Sequence, residues 1–354
     1  MKKNILIIGA GIHGSFLAIY LKKKYKSANI DLIDKNSDIC SETSASTHNR
    51  ANRGYHYPRS PKTARECING WSYFKRNYGK FLDKIDYSYY AIEKNSKTST
   101  SKYRKFLEKN KLYYKIEESK YFNKKKIITC FKAFEGCFNH KKIVNYLINQ
   151  FKEKKINFIG KFELKKVRYE EKQNILVLES KEKKIIKKNY HLIFNSTYDN
   201  ANNILNIFKV QKVIKQRIQY TSIPVVQIKE KIPGLTVMDG DYVTVMPFQG
   251  YKNMYLFYDC INSISYNSHK KIISTKNYLK ILNKIKKYYN LKSEIKFHKF
   301  LIGKRPIPLK DENADRFTYI KKDQYNKIPI YSIFEGKYIS APYFTKRFVK
   351  HLKI

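Results

Sequence analysis

The chain reads as an α/β protein of two interleaved parts, a parallel βαβ domain and a second domain built on an antiparallel sheet. Three observations carry that reading. The apolar run Ile5-Leu6-Ile7-Ile8 meets GAGIHG at Gly9 to Gly14 and continues into an apolar helical segment. Asp34 stands twenty residues beyond Gly14, closing a second apolar stretch, Ile30-Asp31-Leu32-Ile33. Between 216 and 262 the pattern changes to short alternating strands separated by turn residues.

Strand, glycine turn, helix and acid at this spacing make a Rossmann-like dinucleotide-binding unit. Gly9 permits the tight turn, Gly11 lets a pyrophosphate approach the backbone, and Gly14 lets the helix pack against the strand. Ile12 and His13 open the helix, whose N-terminus offers free N–H groups and a partial positive charge to phosphates. Asp34 is placed to take ribose hydroxyls, with Lys35 beside it at the same site. A signal peptide or membrane anchor is the competing reading of residues 5–21. His13 and three glycines interrupt that run, no small-residue cleavage site follows, and Lys22-Lys23-Lys24 closes it like an exposed helix end. No other segment reaches spanning length, so the expectation is a soluble, cytoplasmic protein without a membrane span.

With 354 residues, 42% of them hydrophobic, the chain can bury the core of two domains. Its 73 Lys and Arg against 29 Asp and Glu give a formal charge of +44, which by itself would point to nucleic acid or anionic membrane. The excess is spread in short runs such as Lys124-Lys125-Lys126, in a chain rich in Asn, Ile and Tyr and poor in Gly and Pro. That pattern is what AT-rich codons would produce, with a functional polyanion-binding surface as the other reading; a specific nucleic-acid partner is not expected, and the expected partner is a small-molecule substrate. Cys40, Cys67, Cys130, Cys137 and Cys260 are scattered with no CxxC pair, which argues for reduced thiols and against a metal site.

The spacing of Ala64, Ile68, Trp71, Phe74 and Tyr78 predicts a helix over 62–78. Strands are expected over 87–93 and 127–135, with a short helix over 103–109 between them. A turn at Gly136 to His140 leads to a helix over 141–154 and a strand over 156–159. Segments 163–168 and 174–180 read as a β-meander arm. Tyr190 to Thr197 is an apolar strand ending in small polar residues, the character of a buried parallel strand whose carboxyl end meets a ligand. Antiparallel strands follow over 219–228, 235–238, 242–247 and 254–260, with Asp239-Gly240 and Gln249-Gly250 as turns. A helix over 274–289, a strand over 337–341 and a final helix over 345–352 complete the chain.

These residues resemble the D-amino-acid oxidase / glycine oxidase family of flavoproteins along essentially the whole chain. Four features carry the likeness. GAGIHG with Asp34 matches the family's site for the adenosine and pyrophosphate of FAD. The loop Thr47-His48-Asn49-Arg50-Ala51-Asn52-Arg53-Gly54-Tyr55-His56-Tyr57-Pro58-Arg59-Ser60 is similar to the segment that passes beside the flavin. Glu135-Gly136-Cys137-Phe138-Asn139 before a helix and strand brings Val167 to the place where the family's backbone contacts adenine. Asn195-Ser196-Thr197-Tyr198 stands at the usual Asn-Ala-Ala-Gly, and Gly336 to Ala341 precedes the last helix. Tyr198 departs from the usual glycine, and the C-terminal segment lacks a glycine-rich turn. The tyrosine variant with the GYHYPRS string resembles a bacterial subgroup of FAD-dependent oxidoreductases, and the family does not name its substrate.

The resemblance implies an FAD-binding domain at 1–79, 136–214 and 300–354, and a substrate domain at 80–135 and 215–299. It implies an enzyme that oxidises a C–N or C–OH bond of a small anionic metabolite by transfer of a hydride from the substrate C–H to flavin N5. For the cofactor it implies contacts from Thr47, His48, Asn49, Arg50 and Thr197, and from N–H groups of a final helix opening near Thr345. For the substrate region it implies Arg50, Arg53, His56, Tyr57, Arg59 and Arg305, because guanidinium groups hold carboxylate or phosphate through paired hydrogen bonds and imidazole relays protons near neutrality. Tyr258 is expected on the substrate face of the antiparallel sheet, with core packing as its other role. Two other readings stay open: an FAD-dependent RNA-modifying or RNA-binding flavoprotein, and a protein that keeps FAD only as structure.

Overall fold

The computed structural model describes residues 2–82, 87–210, 215–238, 240, 242–309, 318–334 and 336–353. Asp239, expected in a turn, lies outside them.

The strand Asn4–Ile8 is apolar and buried on both faces, which suits the centre of a parallel sheet. Parallel neighbours flank it: Asn29–Ile33 on one side and Leu192–Asn195 on the other. Asn157–Ile159 and Ile328–Phe334 extend this sheet in parallel, and Tyr319–Tyr325 closes it antiparallel. Side chains alternate across it. Ile5 and Ile7 pack on a helical layer formed by Ile12–Lys24, Pro61–Tyr78, His140–Glu153 and Ala341–His351. Leu6 and Ile8 pack on the opposite layer, made by the helix Ala201–Ile207 and a meander of Leu164–Glu170, Ile175–Ser180 and Ile185–Lys188.

The second sheet has nine strands. Its order is Ile264–Ser265, Gln216–Ile228, Met254–Asp259, Val243–Pro247, Gly234–Met238, Ser88–Glu93, Ile127–Ala133 and Tyr114–Ile116, with Ile295–Pro308 also paired to Gln216–Ile228. The helix Thr275–Tyr288 covers one face, burying Tyr278, Ile281 and Ile285 against Val243, Val245 and Phe257. The opposite face is turned toward the parallel domain.

Three expectations need correction. The second sheet is mixed, because Gly234–Met238 runs parallel to Ser88–Glu93. The division drawn at 299/300 falls inside the continuous Ile295–Pro308 strand, whose ladder on Gln216–Ile228 spans that point. The strand expected at 337–341 is a 3₁₀ turn, Tyr338–Ser340, running into the helix Ala341–His351. Pro342 in that helix's first turn has a preset φ and no N–H to lose, so it starts the helix four residues earlier than expected. Among the described residues, no helix is long and apolar enough to cross a membrane.

Candidate active site

A cavity of about 370 Å³ extends from the carboxyl ends of the parallel strands to the inner face of the nine-stranded sheet. Its first end is built by the opening βαβ turn. Gly9 has φ +100°, and a Cβ there would stand 2.5 Å from the Ser196 carbonyl oxygen. A Cβ on Gly14 would stand 1.9 Å from the Gly9 carbonyl oxygen. The protein itself demands both glycines. Gly11 differs: a Cβ there would meet only Ser44 Oγ, at 3.5 Å, and the position lines the cavity. Among the described residues nothing requires glycine at 11, and the room it leaves faces the cavity.

The helix Ile12–Lys24 begins here without a side-chain cap from Gly11, and Ile12 N–H donates to Ser44 Oγ at 3.2 Å. Asp34 accepts the Ala10 N–H at 2.7 Å on one oxygen and the Asn36 N–H at 2.9 Å on the other. Burial pushes its carboxyl above the ordinary range, opposed by those two N–H groups. Lys35 pairs with Glu42 at 3.1 Å, and Thr197 Oγ1 donates to Asn195 Oδ1 at 2.7 Å. Lys35 and Thr197 line the cavity with Gly9, Ile12 and His13. Burial pulls His13 down to about 3, so its imidazole is neutral at physiological pH.

The second end is a cross-strand row on the sheet. Tyr90, Thr236, Thr244 and Tyr258 stand opposite one another on successive strands, while the alternate residues Val243 and Val245 face the covering helix. Arg50 reaches this row, donating to Tyr90 Oη and, at 2.7 Å, to Thr236 Oγ1. Tyr90 in turn donates to the fully buried Glu135, which also accepts the Arg53 backbone N–H at 2.7 Å. Burial raises the Glu135 carboxyl while the Arg50 guanidinium, with Nη1 3.7 Å from Oε2, holds it back.

An arc of rings and cations closes this end. The Lys337 ammonium lies 4.6 Å from the Tyr57 ring centre, and His56 meets Tyr57 at 5.4 Å and Tyr242 at 5.1 Å. Tyr242 lies 5.9 Å from Tyr258, which meets His48 edge-on at 4.5 Å and carries the Arg305 guanidinium at 5.8 Å. All seven line the cavity.

The structure therefore gathers most of the expected residues and sends five elsewhere. Arg53 is not part of the lining: its guanidinium stacks 4.2 Å from the Trp71 ring centre and donates to the Phe134 carbonyl at 3.3 Å. Val167 lies along the meander, paired with Leu178, while Phe162, Glu163 and Leu164 line the cavity. Phe162 N–H donates to the Asp34 carbonyl at 2.8 Å, which ties that earlier stretch to the nucleotide end. Thr345 sits in the second turn of its helix, buried, donating to the Ala341 carbonyl at 2.7 Å; Gly336 to Ile339 reach the cavity instead. Asn49 is buried outside the lining with φ +53°, accepting the Phe138 N–H, and Gly14 serves packing.

Sequence reasoning missed Tyr242, Thr244, Ser44, Asp199 and Lys337. Alternation against Val243 and Val245 could have found Tyr242 and Thr244. Lys337 had no such signal, because its place depends on where the last helix starts.

Comparison with known proteins decides the kind of site this is. The family profile described as DAO, FAD dependent oxidoreductase, matches residues 4–322. The chain belongs to the DAO family of FAD-dependent oxidoreductases. This DAO-family enzyme uses FAD, and its first βαβ turn fits that group: Gly11 opens space, a helix N-terminus faces it, and Asp34 lies alongside. Similar solved structures include L-α-glycerophosphate oxidase from Mycoplasma pneumoniae, with TM-score 0.76, 16% identity and cover of 100% of this chain and 96% of that one. Glycine oxidase from Bacillus cereus ATCC 14579 gives 0.75 at 13% identity, covering 99% and 94%. L-amino acid deaminase from Proteus vulgaris gives 0.70 at 14%, covering 98% and 88%. At such identities the likeness establishes the fold. A search of curated proteins found no match.

Proposed function

We propose that this oxidoreductase oxidises a C–N or C–OH bond of a small anionic metabolite, bound between the flavin site and the nine-stranded sheet, by taking a hydride from the C–H of the carbon that bears the nitrogen or hydroxyl. The supporting observation is the division of charge along the cavity. Its lining carboxylates, Asp34, Glu42, Glu163 and Asp199, belong to the segments that build the nucleotide end. The sheet end is lined by Arg50, Arg305, Lys337, His48 and His56 together with tyrosines.

Bound FAD supplies a two-electron acceptor to a substrate carbon held over its ring. The chain's own groups do the holding. Arg305 and Lys337 bring positive charge to the two ends of the ring arc, and either one can hold a carboxylate or phosphate. Arg50 serves differently: its donors go to Tyr90 and Thr236 beside Glu135, so it fixes the sheet wall. His56, set among Tyr57, Tyr90 and Tyr242, is the group suited to take the proton released from an amine or hydroxyl.

The test is anaerobic mixing of holoenzyme with amino acids, hydroxy acids and polyol phosphates alongside their uncharged amides, esters or alcohols. Flavin absorbance should bleach with anionic members of a pair and not with the neutral ones. Equal bleaching by a neutral counterpart would overturn the anionic assignment.

A further inference from the structure

Eleven described residues other than glycine have positive φ, and nine of them are Lys or Asn. The five lysines among them, Lys111, Lys155, Lys161, Lys183 and Lys209, occupy exposed turns. Asparagine tolerates this region, and an exposed turn absorbs the strain of lysine. Tyr198 belongs to neither group. Its φ is +55°, it stands at the carboxyl end of the parallel strand Leu192–Asn195, and it lines the cavity between Thr197 and Asp199, which line it too. A bulky aromatic held in the left-handed region at a ligand site is strain stored where binding can offset it.

We infer that Tyr198 is a cofactor-retaining residue, its side chain forming part of the wall that closes over FAD and slowing FAD release. This rests on the assignment of FAD to the cavity and adds a role for one side chain. A smaller residue that accepts positive φ would relax the turn and leave that wall open. Relaxation and retention therefore move in opposite directions, which a purely structural tyrosine would not do.

The experiment compares wild type, Tyr198→Asn and Tyr198→Phe as holoenzymes and as apoproteins. FAD release is followed by flavin fluorescence after dilution, and apoprotein stability by thermal unfolding. Tyr198→Asn should release FAD about tenfold faster with apoprotein stability unchanged or raised, and Tyr198→Phe should stay within threefold of wild type. Release from Tyr198→Asn at the wild-type rate would overturn the inference. So would a Tyr198→Asn apoprotein that melts well below wild type, since the side chain would then support the fold. Failure of wild-type protein to bind FAD at all would instead refute the cofactor assignment.

Discussion

Gly11→Val and Gly14→Ala separate what the fold needs from what the cofactor needs. At Gly11 the backbone has φ −65° and ψ −178°, which any residue adopts, and the nearest atom to an added Cβ is Ser44 Oγ at 3.5 Å. Valine should therefore leave apoprotein stability within about 1 kcal/mol of wild type, the range of an unstrained substitution. Its methyl groups fill the space that a pyrophosphate needs, displacing it from the N–H groups at the helix start. Charge-assisted hydrogen bonds contribute about 1.5–3 kcal/mol each, so losing two weakens FAD binding by at least ~100-fold. At Gly14 the added Cβ overlaps the Gly9 carbonyl oxygen at 1.9 Å, a contact only movement of the helix relieves. Alanine there should lower stability by several kcal/mol and lose FAD together with the fold. The assay is calorimetric titration of FAD into each apoprotein beside thermal unfolding. A folded Gly11→Val protein that binds FAD with wild-type affinity would refute the reasoning.

Arg305→Met should keep FAD and slow flavin reduction by substrate ~30-fold or more, the loss of one partly buried charged contact of about 2–3 kcal/mol. Arg53→Met should change that rate less than threefold, because its guanidinium stacks on Trp71 outside the lining; stopped-flow bleaching reads both, and equal rates in wild type and Arg305→Met would place the pocket elsewhere. His13, lowered by burial to about 3 from an ordinary value of 6.5, binds a proton more readily unfolded than folded, so it favours the folded state above 6.5 and withdraws that support as pH falls toward 3. At pH 5 the loss is about 2 kcal/mol by linkage, so urea unfolding of His13→Asn should show a shallower decline between pH 6.5 and 5 than wild type, and parallel curves would contradict it. The lysines are dispersed, so tRNA and duplex DNA should bind no tighter than about micromolar at physiological salt, and a tighter complex in a filter-binding titration would show a specific site.

The nucleotide end of the cavity was legible because its constraints are local. Gly9, Gly11, Gly14 and Asp34 sit within one βαβ unit, where strand and helix geometry convert sequence spacing directly into distance. The substrate end was legible only in part, because it is assembled from segments far apart in the chain. Tyr57, Tyr242, Tyr258, Arg305 and Lys337 meet through sheet register and a helix start. Arg53 illustrates the limit. It lies three residues from Arg50 in the same basic loop, yet one guanidinium faces the sheet row and the other faces Trp71. No spacing rule for a loop distinguishes them, since the alternation that sorts strand residues does not apply there. Val167 shows a related limit: it lies on the meander in register with Leu178, three residues beyond the stretch that returns to Asp34 and lines the cavity.

The formal charge of +44 and the small number of glycines, 13 in all, have a common physical reading. Lysine and asparagine occupy nine left-handed positions where glycine would be relaxed, and the five lysines are at exposed turns that cost about 1–2 kcal/mol apiece. Where a Cβ would collide with backbone, as at Gly9, Gly14, Gly70 and Gly160, glycine stands. Composition has thus shifted wherever the fold tolerates a modest cost and not where sterics forbid it. On that basis the positive charge follows the tolerant surface, and in the function proposed above the charge used for the substrate is the arc from Lys337 to Arg305. Cys40 and Tyr198 are the two described positions where this rule fails, and of the two only Tyr198 lines the cavity. Tolerance does not explain a tyrosine there, whereas the cofactor-retaining role inferred above would.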